Sequence, residues 1–253
     1  MSKIGLQTLF NREITRIMRI WPQTLLPPVI TMSLYFMIFG TFIGSQIDNI
    51  QGVNYITFIL PGLIMMSVVS NSYLNVVSSL FGCKFQNNIE EMLVSPLSTL
   101  TILLGFISGG LFRGLTVGLC VSIVGLLFTK VAIYNLAIVI SVVVLTSLLF
   151  SLGGVINALY AKTFDDISII PTFVITPLTY LGGVFYSIDL LPPIWKTISL
   201  FNPILYIINT FRYGFIGISD INITTALITI VGFIILLFYL CYILLDKGIG
   251  IKN

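Results

Sequence analysis

The sequence predicts an all-α membrane protein of six transmembrane helices, and three observations carry that prediction. Of 253 residues, 57% are hydrophobic and 8% charged, against roughly 25% charged in soluble domains. The apolar residues gather into long runs, such as the charge-free stretch between Ile20 and Ile47, and about 20 such residues suffice for a helix to cross the hydrocarbon. The charges fall almost entirely in the short connections between runs. No soluble core uses this much apolar surface.

Residues 3–20, KIGLQTLFNREITRIMRI, have apolar positions at helical spacing (Leu6, Phe10, Ile14, Ile17, with Trp21 beyond) and Arg12, Arg16 and Arg19 on another face. A basic face opposite an aliphatic and aromatic one predicts a helix lying in the headgroup plane. A first span follows over about 24–44, with Pro27 and Pro28 near its start, where missing amide donors cost least. Residues 45–54, with Asp48, Asn49 and Gly52, read as a loop. The second span, about 55–81, carries Ser67, Asn71, Asn75 and Ser78 along one face. Asparagine facing lipid is costly, so that stripe should face protein or water.

Cys83 to Ser98, CKFQNNIEEMLVSPLS, is the wettest internal stretch. IEEML predicts one or two helical turns, ended by Pro96 because a proline cannot continue a helix interior. The third span, about 101–129, contains Gly110, Gly114, Gly118 and Ser122 four apart, with Gly105 and Gly109 starting a parallel pair. Such ridges let helix backbones approach closely. Arg113 is the one charge read within the apolar runs, either snorkelling to the interface or buried with a carboxylate partner; Glu90, Glu91 and Asp165 are the candidates.

The fourth span, about 136–160, leads to the polar turn AKTFDDIS; the fifth, about 167–187, is broken by Pro171 and Pro177. Thr172, Thr176 and Thr179 share a face there and can bond back to their own helix. From 188 to 217 the text stays apolar but is punctuated by Pro192-Pro193 and Asn202-Pro203, which exclude one long helix. This predicts short re-entrant helices on the outer side, before a last span over about 224–245. Placing the N-terminus inside puts Lys3, Arg12, Arg16, Arg19, Lys84, Lys162, Lys247 and Lys252 in the cytoplasm, against Lys130, Lys196 and Arg212 outside. That basic asymmetry predicts both termini cytoplasmic.

Several chemistries are absent. There is no histidine, and Cys83, Cys120 and Cys241 have no disulfide or zinc spacing. No GxxxxGK[ST] phosphate loop occurs, so no ATP site of that kind is expected. The carboxylates Glu13, Asp48, Glu90, Glu91, Asp165, Asp166, Asp189, Asp220 and Asp246 all read as lying at span ends or in loops, whereas a proton-coupled carrier or intramembrane enzyme keeps ionisable groups at mid-membrane. From the residues alone, an ATP-independent channel or secondary carrier remains open.

The stretches MRIWPQTLLPPVITMSLYFMIFG, KFQNNIEEMLVSPLS, GGLFRGL, AKTFDDIS, PLTYLGGVFYSIDLLPPIW and FNPILYIINTFRYGFIG resemble the ABC-2 type transporter permeases of the bacterial inner membrane, over nearly the whole chain. The resemblance implies a homodimer of six-span subunits, each paired with a separate cytoplasmic ATPase that binds ATP and magnesium. This chain would have no enzymatic activity or cofactor of its own and no nucleic-acid partner. Residues 83–98 would hold the coupling helix, with Ile89, Glu90, Glu91, Met92 and Leu93 against the ATPase. Residues 3–20 would be the interfacial connecting helix. A path between subunits would pass Tyr35, Phe39, Asn71, Asn75, Thr172 and Thr176. Where the family commonly has an acidic residue in the segment YIINTFRY, this chain has Asn209. Export of a lipidic, glycolipid or hydrophobic substrate is the implied activity.

Overall fold

A computed structural model describes residues 3–44, 46–47, 49–129 and 131–250, the side chains of Thr41 and Leu93 excepted. Asp48, Lys130, Lys252 and the Leu93 side chain, all invoked above, lie outside the described residues. The described chain is helical apart from its connections and one isolated backbone pairing, Ile50 with Val53.

Helix α1, Lys3–Arg19, gives way at Ile20 to α2, Trp21–Tyr35, with Pro22 in its first turn. That is where a proline's missing donor costs nothing. Pro27 and Pro28 sit inside α2, which loosens into a π-helical stretch at Phe36–Ile43. The longest helix is α3, Tyr55–Phe85. Its 31 residues span about 46 Å at 1.5 Å per residue, more than the hydrocarbon needs. Gln86 and Asn87, the latter at φ 59°, reverse the chain into the short α4, Asn88–Val94.

The polar residues between apolar runs act as caps. Ser98 Oγ accepts from the Thr101 amide to start α5, Thr99–Phe128; Asn135 does the same for α6, Leu136–Tyr160. Asn222 caps α11, Ile223–Asp246.

The fifth apolar segment departs from the prediction. It is three short pieces, α7 Asp166–Ile170, a π-helical stretch Pro171–Ile175 and α8 Thr176–Leu181. Together they run about 24 Å at 1.5 Å per residue, short of the roughly 30 Å hydrocarbon. Among the described residues five helices, beginning at Trp21, Tyr55, Thr99, Leu136 and Ile223, are long and apolar enough to cross a membrane. The fifth apolar segment thus stops at Leu181 rather than near 187, because Gly182 and Gly183 (φ 77°) turn the chain away. A 3₁₀ turn at Ile188–Leu190 and two short helices follow, α9 Pro193–Leu200 and α10 Pro203–Ile216.

The centre of the bundle is α3. Helices α5, α6 and α10 pack on it, α1 lies along α5, and α11 closes the outside against α6 and α10. Two apolar clusters fill the interior, one around Phe58, Leu63 and Phe211 and one around Val76, Phe106 and Leu159. By contrast α11 fully buries only Ala226, Ile230, Cys241 and Leu245, half-buries Leu237 and Phe238 against the core, and exposes Ile228, Ile235 and Tyr239.

The glycines of α5 form two working ridges. A Cβ on Gly110 would collide with Ser151 Oγ and come within 3.0 Å of the Ser72 carbonyl, and one on Gly114 would meet Ser72 and Ser147. This ridge seats α5 between α3 and α6. The parallel pair seats a different helix: a Cβ on Gly105 would lie 2.7 Å from Leu9 Cβ, and one on Gly109 would lie 2.8 Å from Glu13 Oε2. The second ridge is the bed of α1.

Candidate functional site

Helix α1 also turns a narrow stripe into the bundle. Leu9, Glu13 and Ile17 point inward, while Phe10, Met18 and Trp21 are exposed. The inward stripe is one residue in four, and a carboxylate sits at its middle. Glu13 is fully buried. Its oxygens accept from Arg12 Nη2 at 2.9 Å, from Arg16 Nη2 at 3.0 Å and from Ser79 Oγ of α3 at 2.8 and 2.9 Å. Arg16 also donates to Asn75 Oδ1 at 2.9 Å. A buried charge is tolerable only when paired and hydrogen-bonded, and this one is. The sequence reading placed Glu13 among exposed carboxylates and missed this role. The available signal was the Gly105–Gly109 ridge, whose four-residue step matches Leu9–Glu13.

Arg113 is half-buried in α5, and its Nη2 donates to Asn71 Oδ1 at 3.0 Å. Among the described residues no carboxylate pairs with it; of the two readings left open, an ion pair with Glu90, Glu91 or Asp165 is not found, and a neutral amide meets the guanidinium instead. Nor is Arg113 the sole charge within the bundle. Arg212 of α10 is fully buried, its guanidinium carbon 3.9 Å from the centroid of the Phe58 ring and its Nη2 on the Gly183 carbonyl. The sequence counted Arg212 among the outside charges of the short re-entrant helices; in α10 its side chain turns into the bundle.

The candidates for a path separate into two groups. Asn71 and Asn75 are buried, engaged by Arg113 and Arg16. Tyr35 and Phe39 stack at 5.6 Å and meet Phe185 at 6.2 and 5.1 Å, with Tyr180 at 6.0 Å from Phe185. This aromatic group joins α2 and its π-helical continuation to α8. Thr172 is exposed beside it in sequence, and Thr176 is satisfied by the Pro171 carbonyl at 2.9 Å, within its own helix.

At the same end as Glu13, α4 packs on α3 and meets a side chain of α1. Ile89 is 2% exposed and packs into the cluster around α3. Its expected place on a docking face is corrected: it holds α4 down. Met92 is partly buried, with Arg12 Nη1 of α1 3.7 Å from its sulfur. Beside the start of α4, Lys84 Nζ donates to the carbonyls of Leu159 and Ala161 at 2.7 and 2.8 Å. Those carbonyls end α6, where helix acceptors lack intrahelical donors and favour a cation. Phe164 adds edge contacts to Phe81 and Phe85, both with centroids 5.0 Å apart. Glu90, Glu91 and Val94 remain exposed on the opposite face.

The ABC-2 type transporter family model matches residues 5–216. The inner membrane transport permease YadH of Escherichia coli K12 is 52% identical over 250 residues, 99% of this chain and 98% of that protein. More distant relatives include nodulation protein J of Rhizobium leguminosarum bv. trifolii, 26% identical over 85% of this chain and 82% of its own length, and that of Neorhizobium galegae, 24% identical over 90% and 88%. A family match across most of the helical bundle, and a relative half identical from end to end, agree with five helices of membrane-crossing length: the chain is a multi-pass inner-membrane permease and belongs to the ABC-2 type transporter family.

Proposed function

We propose that this chain is the membrane half of an ATP-driven exporter, working as a pair of identical copies, each served by a separate ATPase that holds ATP and magnesium. The observation that carries this reading is the construction of α4. It is a short helix that exposes Glu90, Glu91 and Val94 while being fixed from beneath by Ile89. A push on it is delivered to α3 through Ile89 and to α1 through Met92 and Arg12, and from the end of α3 on to α6 through Lys84. Exposed ion pairs are worth only about 0–1 kcal/mol each, so Glu90 and Glu91 set orientation while Val94 supplies apolar area. The absence of a phosphate loop from the sequence leaves mechanical work to come from a partner.

Within a dimer, the aromatic group of Tyr35, Phe39, Tyr180 and Phe185 and the neighbouring Thr172 and Thr176 would line the path. Asn71 and Asn75 would stand behind it and respond to the movement of Arg16 and Arg113. A wall of rings and hydroxyls suits a lipidic, glycolipid or other hydrophobic substrate. The short α9 and α10 would form the re-entrant outer cap.

The test is co-purification with the ATPase and transport in proteoliposomes. Val94→Asp, at a position 89% exposed, leaves the fold intact and should abolish ATPase recovery. Glu90→Ala with Glu91→Ala should keep some complex but uncouple hydrolysis from transport. Full ATP-driven transport by both variants would overturn the docking assignment, and transport in the absence of any ATPase would make the protein a channel or carrier.

A further inference from the structure

Beside the buried Glu13 clamp lies an open crevice of about 620 Å³ between α1 and the end of α3. Arg12, Arg16 and Arg19 line it from α1, and Ser78, Gln86 and Asn88 from the α3–α4 corner. Its charge is unbalanced: three guanidinium groups face one carboxylate, Glu13, and no other acid lines the space. Glu13 takes one nitrogen from each of Arg12 and Arg16. Arg19 is exposed and has no carboxylate partner among the described residues. Arg16 Nε is buried without an acceptor. The crevice therefore holds two positive charges in excess, with donor capacity unused.

Its position narrows the ligand. Phe10 and Met18 are exposed on α1 and Trp21 at the start of α2, so the helix lies where rings and aliphatic chains meet headgroups. Basic pockets at that level take the anionic headgroups of phospholipids. Guanidinium suits phosphate because its planar fork matches the oxygens. We propose that this crevice is a binding site for the phosphate headgroup of an acidic phospholipid from the leaflet on the α4 side. The occupied site would neutralise the excess charge, give Arg19 and Arg16 acceptors, and brace α1 against α3 through a lipid. The assignment stands independently of whether the protein is driven by ATP.

Cys83 lines the same crevice and is partly exposed, which makes it a reporter. The full chain carrying Cys120→Ser and Cys241→Ser, with Cys83 left as the one thiol, is placed in nanodiscs of phosphatidylcholine with or without phosphatidylglycerol. Alkylation by a neutral maleimide is timed. Phosphatidylglycerol should slow it about fivefold, the factor 1 + [L]/Kd reached at roughly four times Kd. Arg19→Gln, which breaks no internal contact, should return the rate to within about twofold of the phosphatidylcholine value on the same relation. Equal rates in the two lipids would overturn the proposal. So would slowing that Arg19→Gln leaves untouched, which would be a general effect of an anionic surface. Protection by soluble glycerol phosphate in pure phosphatidylcholine would overturn the lipid assignment in favour of a free-phosphate pocket. A Cys83 that never reacts would show the crevice covered by protein, and the proposal would fail.

Discussion

The two ends of the bundle are each organised by a carboxylate, and they differ in what holds it. At the α4 end Glu13 is fully buried and bound by two guanidinium groups and a serine. At the other end Asp220 is half-buried and bound by neutral donors alone: Gln51 Nε2 at 2.7 Å, Ser187 Oγ at 2.9 Å and the Ile188 amide at 3.1 Å. Asp220 gathers the α2–α3 loop, the turn after α8 and the approach to α11. Glu13 gathers α1 and α3 and sits on α5. Removing Asp220 strands only neutral donors, the Ser187 hydroxyl and the Ile188 amide among them. Removing a partner of Glu13 strands charge in the interior. One end is built to be held, the other to be rearranged at lower cost.

The largest expected effect is therefore on the Glu13 clamp. Arg16→Ala leaves a buried carboxylate with one cation and takes the donor from Asn75; breaking a buried pair in this way costs about 3–5 kcal/mol. Thermal unfolding followed by size-exclusion chromatography in detergent should show folded yield lost well below the wild-type midpoint. Glu13→Gln should do less harm, since the amide keeps an acceptor for Ser79 and strands no buried charge. If Arg16→Ala melts with the wild type, the clamp contributes nothing. The ridge beneath gives a second handle. Gly109→Ala places a methyl 2.8 Å from Glu13 Oε2 and 3.0 Å from Asn75 Nδ2, an overpacking worth about 1–3 kcal/mol. Gly118→Ala on the other ridge meets only Val68 at 2.9 Å and Val143 at 3.7 Å, so it should be milder in the same melt.

Asp220→Asn ranks below these. It keeps one acceptor and removes charge from a site that water reaches, so about 1 kcal/mol, the net value of a hydrogen bond, is expected. Its signature should be local. Hydrogen exchange at the Ile188 amide should quicken while amides of α1 and α3 stay protected. Equal loss of protection at both ends would show that the ends are one cooperative unit and erase the contrast.

The difference between the ends also explains what the sequence could reveal. Span positions were legible because apolar length is a composition signal: α3, α5, α6 and α11 begin and end within a few residues of the expected places. The acidic helix α4 was legible because charge in an apolar text is conspicuous. The fifth segment was overextended because Phe185 and Tyr186 read as span, whereas Gly182 and Gly183 had already turned the chain. Glu13 and Arg212 were misplaced for a common reason. A charge near the end of an apolar run looks exposed, and only tertiary packing reveals that Gly109 makes room for one and Phe58 covers the other. Ile89 was read as partner surface because a seven-residue helix carries too little periodicity to say which apolar face turns inward.

A third carboxylate extends the series to its wet limit and gives the smallest effect. Asp166 stands at the surface as the first residue of α7, and its Oδ2 accepts from the Lys162 amide at 2.8 Å and the Thr163 amide at 2.9 Å. These two bonds, Lys162 first, hold its carboxyl below the ordinary aspartate value of 3.8. A depressed folded value means that the stabilisation is fully present above the ordinary value and is lost as pH falls through the lower, folded one. Glu13 and Asp166 therefore separate by method. Between pH 7 and 5 neither the turn nor its cap should change, and only below the ordinary aspartate range should the 162–166 turn loosen, read as faster exchange of the Lys162 and Thr163 amides. Asp166→Asn, which retains an acceptor but no titrating charge, should abolish that acid dependence while leaving the melting point of the bundle unmoved. If the turn loosened at pH 6 in the wild type, the carboxylate would not be its support, and the ordering of the three sites by what surrounds the charge would break at its simplest member.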